Sequence, residues 1–460
     1  MSNSLGTAVG ARAIALRPAI IMAGLVEFLG SVLLGGNVSQ TISSGIVDPN
    51  VFAGGDEISF VLGMFTALLS AAIWLVIATY AKLPVSGTHS LIGAVIGFAM
   101  VSRGPSSVPS SNVTRVVVPM VTSPLLGAAV AFAMYSAITR IFMAPPPPRA
   151  EDGSQDDMSD EMRRESRALV YLPFLYFGVV FILAFLSLMD DAFGFSTQGA
   201  VVSAAMIGGI GAAMVDYYAV PMYEVRFGHM PADDGSVSAQ SPAEDGLESG
   251  ARVRTRSDEG NAGTPSKPGA GGPSAKGIHS PLESLFVPLL ILTAAYVGFG
   301  HGANDISNSV GPLAAIFSVS ASGSVESLGS PPLWIMLMGG LGIVVGLSIW
   351  GAPVMKTVGE SITRLTPSKG FAAQFATAST VLSASLFGAP VSTTHVLIGA
   401  ITGIGVASSG SKAIDLGTLK KIGLSWIITF PAGAGIAATI FSILSPFFVA
   451  ADGVALAAIE

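Results

Sequence analysis

The 460-residue chain is 51% hydrophobic and only 11% charged, with 55 glycines, 28 prolines and a formal net charge of −7; its mean hydropathy is +0.67. A soluble protein of this length needs far more surface charge, so the composition excludes a soluble globule and points to an all-α polytopic membrane protein. The absence of cysteine excludes disulfides and thiolate chemistry, and five scattered histidines without ligand spacing give no transition-metal site.

The chain opens without a charged stretch followed by an apolar core, so no cleavable signal is expected. Apolar segments are predicted at 18–34, which carries one acid, Glu27, and at 58–80. The second leads into Pro84-Val85-Ser86-Gly87-Thr88-His89, followed by an apolar helical run to Gly97. Ser and Thr are good helix N-caps, and a helix start inside a membrane offers unpaired N–H donors and the positive dipole end to an anion. The next span, 116–142, is interrupted by Pro119 and Pro124. A polar stretch, 144–167, then precedes spans at 168–189 and 197–220. Its cluster of Arg140, Arg149, Arg163, Arg164 and Arg167, with Arg226 two crossings later, assigns that side to the cytoplasm.

From 221 to 281 the sequence is rich in Asp, Glu, Ser, Gly and Pro without apolar periodicity, which reads as a disordered cytoplasmic linker. Its arginines, Arg252, Arg254 and Arg256, lie beside Asp258 and Glu259 and read as a solvated face. Apolar segments resume at 285–300, 332–351 and 371–387. A second motif, Pro390-Val391-Ser392-Thr393-Thr394-His395, leads a helix to 406, and a span at 422–444 precedes a short final helix in 445–460. Gly339-Gly340-Leu341-Gly342 lacks the strand and the Lys-Ser/Thr of a nucleotide loop, and close helix packing explains it better.

Within the apolar segment that follows the linker stands Gly300-His301-Gly302-Ala303-Asn304-Asp305-Ile306-Ser307-Asn308. An acid at membrane depth marks a functional site by default. The flanking Gly and Pro are expected to unwind the helix and expose carbonyls to a hard cation beside Asp305 and Asn304. Ser2-Asn3-Ser4-Leu5-Gly6 matches Ser307-Asn308-Ser309-Val310-Gly311 at an offset of 305, close to the 306 between the two Ser-Thr-His motifs. The chain therefore reads as an internal duplication: a first repeat over 1–143, two intervening helices over 144–220, the linker, and a second repeat over 282–460. The counterpart of Gly302–Asp305 would precede Met1, and a truncated first repeat is expected.

These motifs, with Gly30-Ser31-Val32-Leu33-Leu34-Gly35, make the chain resemble the inorganic phosphate transporter family of cation-coupled symporters. The resemblance implies two inverted repeats with broken helices or hairpins meeting at the midplane, and no enzymatic activity. It implies that Ser86, Gly87, Thr88, Ser392, Thr393 and Thr394, with Asp305, bind phosphate. It also implies that Asn3, Asn304, Asp305, Asn308 and Glu27 serve the coupling cation, Na⁺ or alternatively H⁺. Gln374, in place of the second-half acid corresponding to Glu27, is placed by the resemblance in the same coupling set, where the change is expected to alter ion coupling or its pH dependence. Phosphate, Na⁺ or H⁺ and the lipid bilayer are the expected partners, with no further cofactor, no nucleic acid, and a homodimer left open. The plasma membrane is the expected location and an organellar membrane the alternative. Two other functions fit the residues: symport of another oxyanion such as sulfate, or a transport-dead truncated paralogue that partners a full-length transporter. Blander roles compete as well. Ser86, Thr88, Ser392 and Thr394 could be plain N-caps, His89 and His395 neutral hydrogen-bonded core residues that orient the turn, Glu27 a snorkelling acid, and Gln374 a packing residue.

Overall fold

The computed structural model describes residues 3–80, 85–144, 160–190, 193–221, 280–361, 366–410 and 416–457. Nearly all of the expected linker lies outside them, as does Pro84. The chain is helical: α1 (Asn3–Gly10), α2 (Leu16–Leu34), α3 (Gly36–Ser44), α4 (Glu57–Tyr80), α5 (Gly87–Arg103), α6 (Ser110–Ile138), α7 (Asp160–Leu188) and α8 (Thr197–Met214) precede the linker. After it come α9 (Val287–Asp305), α10 (Ser307–Ser322), α11 (Leu333–Ser361), α12 (Pro367–Leu386), α13 (Thr393–Ser409) and α14 (Leu416–Ala457). Among the described residues, eight helical stretches are long and apolar enough to cross a membrane. Helices satisfy their own backbone polar groups, which hydrocarbon demands.

α2 carries its large apolar side chains on the outside, the reverse of a helix in a soluble protein. On α2, Ile21, Leu25, Leu29 and Leu33 recur every fourth residue and are exposed, whereas Ala19, Ala23, Glu27, Gly30 and Ser31 are buried. Large apolar side chains thus meet lipid, and small or polar ones let helices approach closely. α2 and α9 do so reciprocally. A Cβ added to Gly30 would overlap the carbonyl oxygen of Phe299, and one added to Gly302 would overlap that of Glu27.

This contact corrects the expectation of an unwound segment around Asp305. α9 runs through Asp305, and Ile306 keeps helical angles (φ −56°, ψ −35°) before α10 begins. The Ile306 N–H still donates to the Gly302 carbonyl at 3.3 Å. The glycines serve a tight crossing with α2 and do not open the backbone. Two other boundaries also differ from expectation. Arg163, Arg164 and Arg167 belong to α7, which starts at Asp160, because its first residues include good helix formers. The final span and tail form one helix, with Pro431 and Pro446 inside it. Each proline removes one N–H donor, whereas leaving the helix would strand more backbone groups.

The two halves interlock. α5 lies against α14, and α13 against α6. Cβ atoms on Gly93 and Gly97 would overlap the carbonyls of Phe430 and Ala434, and those on Gly399 and Gly403 the carbonyls of Pro124 and Ala128. Each residue of the first set is related to one of the second by the same 306-residue shift that relates the motifs. The motif helix of each half therefore packs on the closing helix of the other, which brings both motif starts to the centre.

Candidate functional site

Each motif helix begins at a serine in extended conformation. Ser86 (φ −102°, ψ 125°) accepts the His89 N–H at 3.2 Å, and Ser392 (φ −98°, ψ 110°) accepts the His395 N–H at 3.4 Å. Both serine oxygens thus act as N-caps. The threonines reach further. Thr88 donates to the Val391 carbonyl at 3.2 Å and accepts the Asn308 amide at 3.3 Å, joining the first copy to the second and to α10. Thr393 Oγ1 lies 3.5 Å from Asp305 Oδ2. Thr394 is half-buried on the same first turn of α13. A Cβ on Gly87 would stand 3.6 Å from Asn308 Nδ2, so the backbone there faces α10 with little between.

The histidines that follow each cap meet edge to face, with ring centroids 4.3 Å apart, and His395 stacks on Trp426 at 3.5 Å. The expectation of hydrogen-bonded core histidines is not met at Nε2, which has no hydrogen-bond partner on either ring among the described residues. Ring packing holds them instead. Two helix starts whose next residues touch in this way are neighbours at the centre of the fold.

α9 supplies the acid. His301 sits one turn before Asp305, and its Nε2 is 2.8 Å from Asp305 Oδ2. On the other side, His301 Nδ1 is 3.5 Å from Glu27 Oε1. Glu27 is fully buried on α2 and reaches Asp305 through this ring. His301 escaped the sequence reading, although its spacing of four residues from Asp305 puts the two on one helix face. Asp305 Oδ1 and Asn308 Oδ1 are buried without a hydrogen-bond partner among the described residues. These two hard oxygen atoms suit a hard cation.

The remaining predicted residues are placed differently. Asn304 turns its amide to the α12–α13 connection. Gln374 lies on α12 and donates to Thr7 of α1. Under the 306-residue relation α12 corresponds to α4 and not to α2, so Gln374 is not the positional counterpart of Glu27. Asn3 opens α1, and its side chain lies outside the described residues. The site therefore gathers Ser86, Gly87, Thr88, Ser392, Thr393, Asp305 and Asn308, with Glu27 one ring removed. It offers two helix N-termini capped by serines, two threonine hydroxyls and one carboxylate in a largely buried place.

A profile of the Phosphate transporter family matches residues 1–437. A Haemophilus influenzae protein provisionally named a phosphate permease is 36% identical over 450 residues, covering 97% of this chain and 93% of its own. The chloroplastic inorganic phosphate transporter 2-1 of Arabidopsis thaliana is 34% identical over 444 residues, covering 95% of this chain and 68% of its own. A solved structure described as the sodium-dependent phosphate transporter matches with a TM-score of 0.75 at 31% identity, over 96% of this chain and 94% of that one.

Proposed function

The chain belongs to the phosphate transporter family, and we propose that this integral membrane protein carries inorganic phosphate together with Na⁺, holding the anion between the starts of α5 and α13. The observation that carries this reading is the meeting of both motif copies with α9 and α10: Thr88 bonded to Val391 and Asn308, and Thr393 beside Asp305. A tetrahedral oxyanion needs many donors, which the opening N–H groups of α5 and α13 supply, joined by the Thr88 and Thr393 hydroxyls once the anion draws them from the Val391 carbonyl and from Asp305.

The acid beside that cradle explains why a cation must travel too. Two like unit charges 4 Å apart repel by roughly 4 kcal/mol at an effective dielectric of 20, and a doubly charged phosphate roughly doubles this. Phosphate therefore enters favourably only after a positive charge has settled on Asp305. Na⁺ bound by Asp305 Oδ1 and Asn308 Oδ1 turns the repulsion into attraction, and Na⁺ binding precedes phosphate binding. The sodium dependence named for the structural relative favours Na⁺ over a proton in this role.

Flux into proteoliposomes tests the reading. A Na⁺ gradient should drive labelled phosphate uptake, a pH gradient alone should not, and excess sulfate should leave uptake intact. Uptake indifferent to Na⁺, or suppressed equally by sulfate and phosphate, would reject it.

A further inference from the structure

Asn304 is fully buried, and its amide makes three hydrogen bonds. Nδ2 donates to Ser385 Oγ and to the Ala389 carbonyl, and Oδ1 accepts the Val391 N–H, each at 3.1 Å. A side-chain amide has two donor hydrogens and two acceptor lone pairs. Both donors and one lone pair are thus engaged, all on the end of α12 and the connection to α13. That connection is held from its other side as well. Gly388 adopts φ +61°, and a Cβ there would lie 3.0 Å from Thr41 Oγ1 and 3.2 Å from the Asn37 carbonyl of α3.

The consequence appears at Val391. Its N–H is held by Asn304 and its carbonyl by Thr88, which also receives Asn308. The backbone of this one residue therefore ties α9, the second motif and the first motif into a ring that closes through α10. The neighbouring residue, Asp305, touches Thr393 two positions further along.

We propose that Asn304 is a positioning residue for phosphate and not a cation ligand: it fixes the turn before Ser392 so that the amides opening α13 face those opening α5. This inference rests on the Na⁺–phosphate reading above. It separates two neighbours, with Asp305 governing the cation and Asn304 the geometry of the anion cradle.

Purified protein in lipid nanodiscs tests it with radiolabelled Na⁺ binding in the absence of phosphate, and phosphate binding at saturating Na⁺. Asn304→Ala should leave phosphate-free Na⁺ affinity within about twofold and weaken phosphate about tenfold or more, the scale expected when buried partners lose their hydrogen bonds. Asp305→Asn should instead lose Na⁺ binding. Ser385→Ala, which removes one partner without touching α9, should weaken phosphate in the same direction by a smaller factor, and it decides the matter if Asn304→Ala fails to fold. Loss of phosphate-free Na⁺ binding in Asn304→Ala would overturn the inference, as would unchanged phosphate affinity in Ser385→Ala. Wild-type protein that binds phosphate without Na⁺ would instead overturn the transport reading, and this inference with it.

Discussion

The hairpins α4–α5 and α12–α13 share one backbone design and differ in what holds them. Their capping serines have nearly the same angles, and each motif helix ends at a glycine with positive φ, Gly104 at 77° and Gly410 at 75°. Each lies on the closing helix of the opposite half through paired glycines. Among the described residues, the polar contacts of the two hairpins differ. The second hairpin is gripped by α9, through Asn304 to its turn and Asp305 to Thr393. The first has glycine where Thr393 stands in the second, and faces α10 through Thr88 and Asn308. Among the described residues the duplication thus supplies a symmetric helical scaffold, on which Asp305 stands beside the second hairpin.

The largest effect tests that asymmetry. Asp305→Asn removes the charge beside the second hairpin while keeping its size, and Na⁺-driven phosphate uptake should vanish while membrane insertion is unchanged. Uptake at the wild-type rate would show that the acid takes no part in coupling. The next effect tests the symmetry. Gly93→Ala and Gly399→Ala each push a Cβ into a backbone carbonyl of the opposite half. Both should destabilise the protein, by about 1–3 kcal/mol as overpacking does. Thermal unfolding in detergent measures this, and a large loss for one variant beside none for the other would break the equivalence of the two contacts.

The sequence made the duplicated helix starts legible because capping chemistry is local and recurs at one fixed spacing. It did not reveal the contacts that cross the fold. Asn304 looks like a cation ligand beside Asp305, but its partners, Ser385, Ala389 and Val391, are more than 80 residues away. Gly302 has the composition of an unwound helix, yet a tight crossing asks for the same missing side chain, and only the Glu27 carbonyl against it separates the two. The link from Glu27 through His301 to Asp305 was half legible: the histidine–aspartate spacing is local, whereas α2 joins them only in the folded chain. Gln374 shows the opposite error. A family resemblance paired it with Glu27, but the two residues stand on helices that the repeat does not relate.

The smallest effect concerns the far ends of the hairpins, where the copies differ most plainly in sequence. α5 ends at Arg103, which pairs with Asp56 ahead of α4 and lies 5.5 Å over the Phe52 ring. α13 ends at Ser409, which is exposed. The arginine side chain is 36% exposed, so solvent screens the pair, and such pairs contribute at most about 1 kcal/mol. The stacked guanidinium over Phe52 contributes roughly 0.5–1 kcal/mol more at an exposed site. Arg103→Gln should therefore lower stability by about 1 kcal/mol and leave phosphate and Na⁺ affinities unchanged, because the contact lies at the opposite end of α5 from Ser86. Arg103→Lys should recover part of the ion pair but less of the stacking, since an ammonium lacks the planar face. If Arg103→Gln shifted Na⁺ dependence instead, the first hairpin would be sensing the cation along its whole length. The functional difference between the two hairpins would then no longer be confined to their starts.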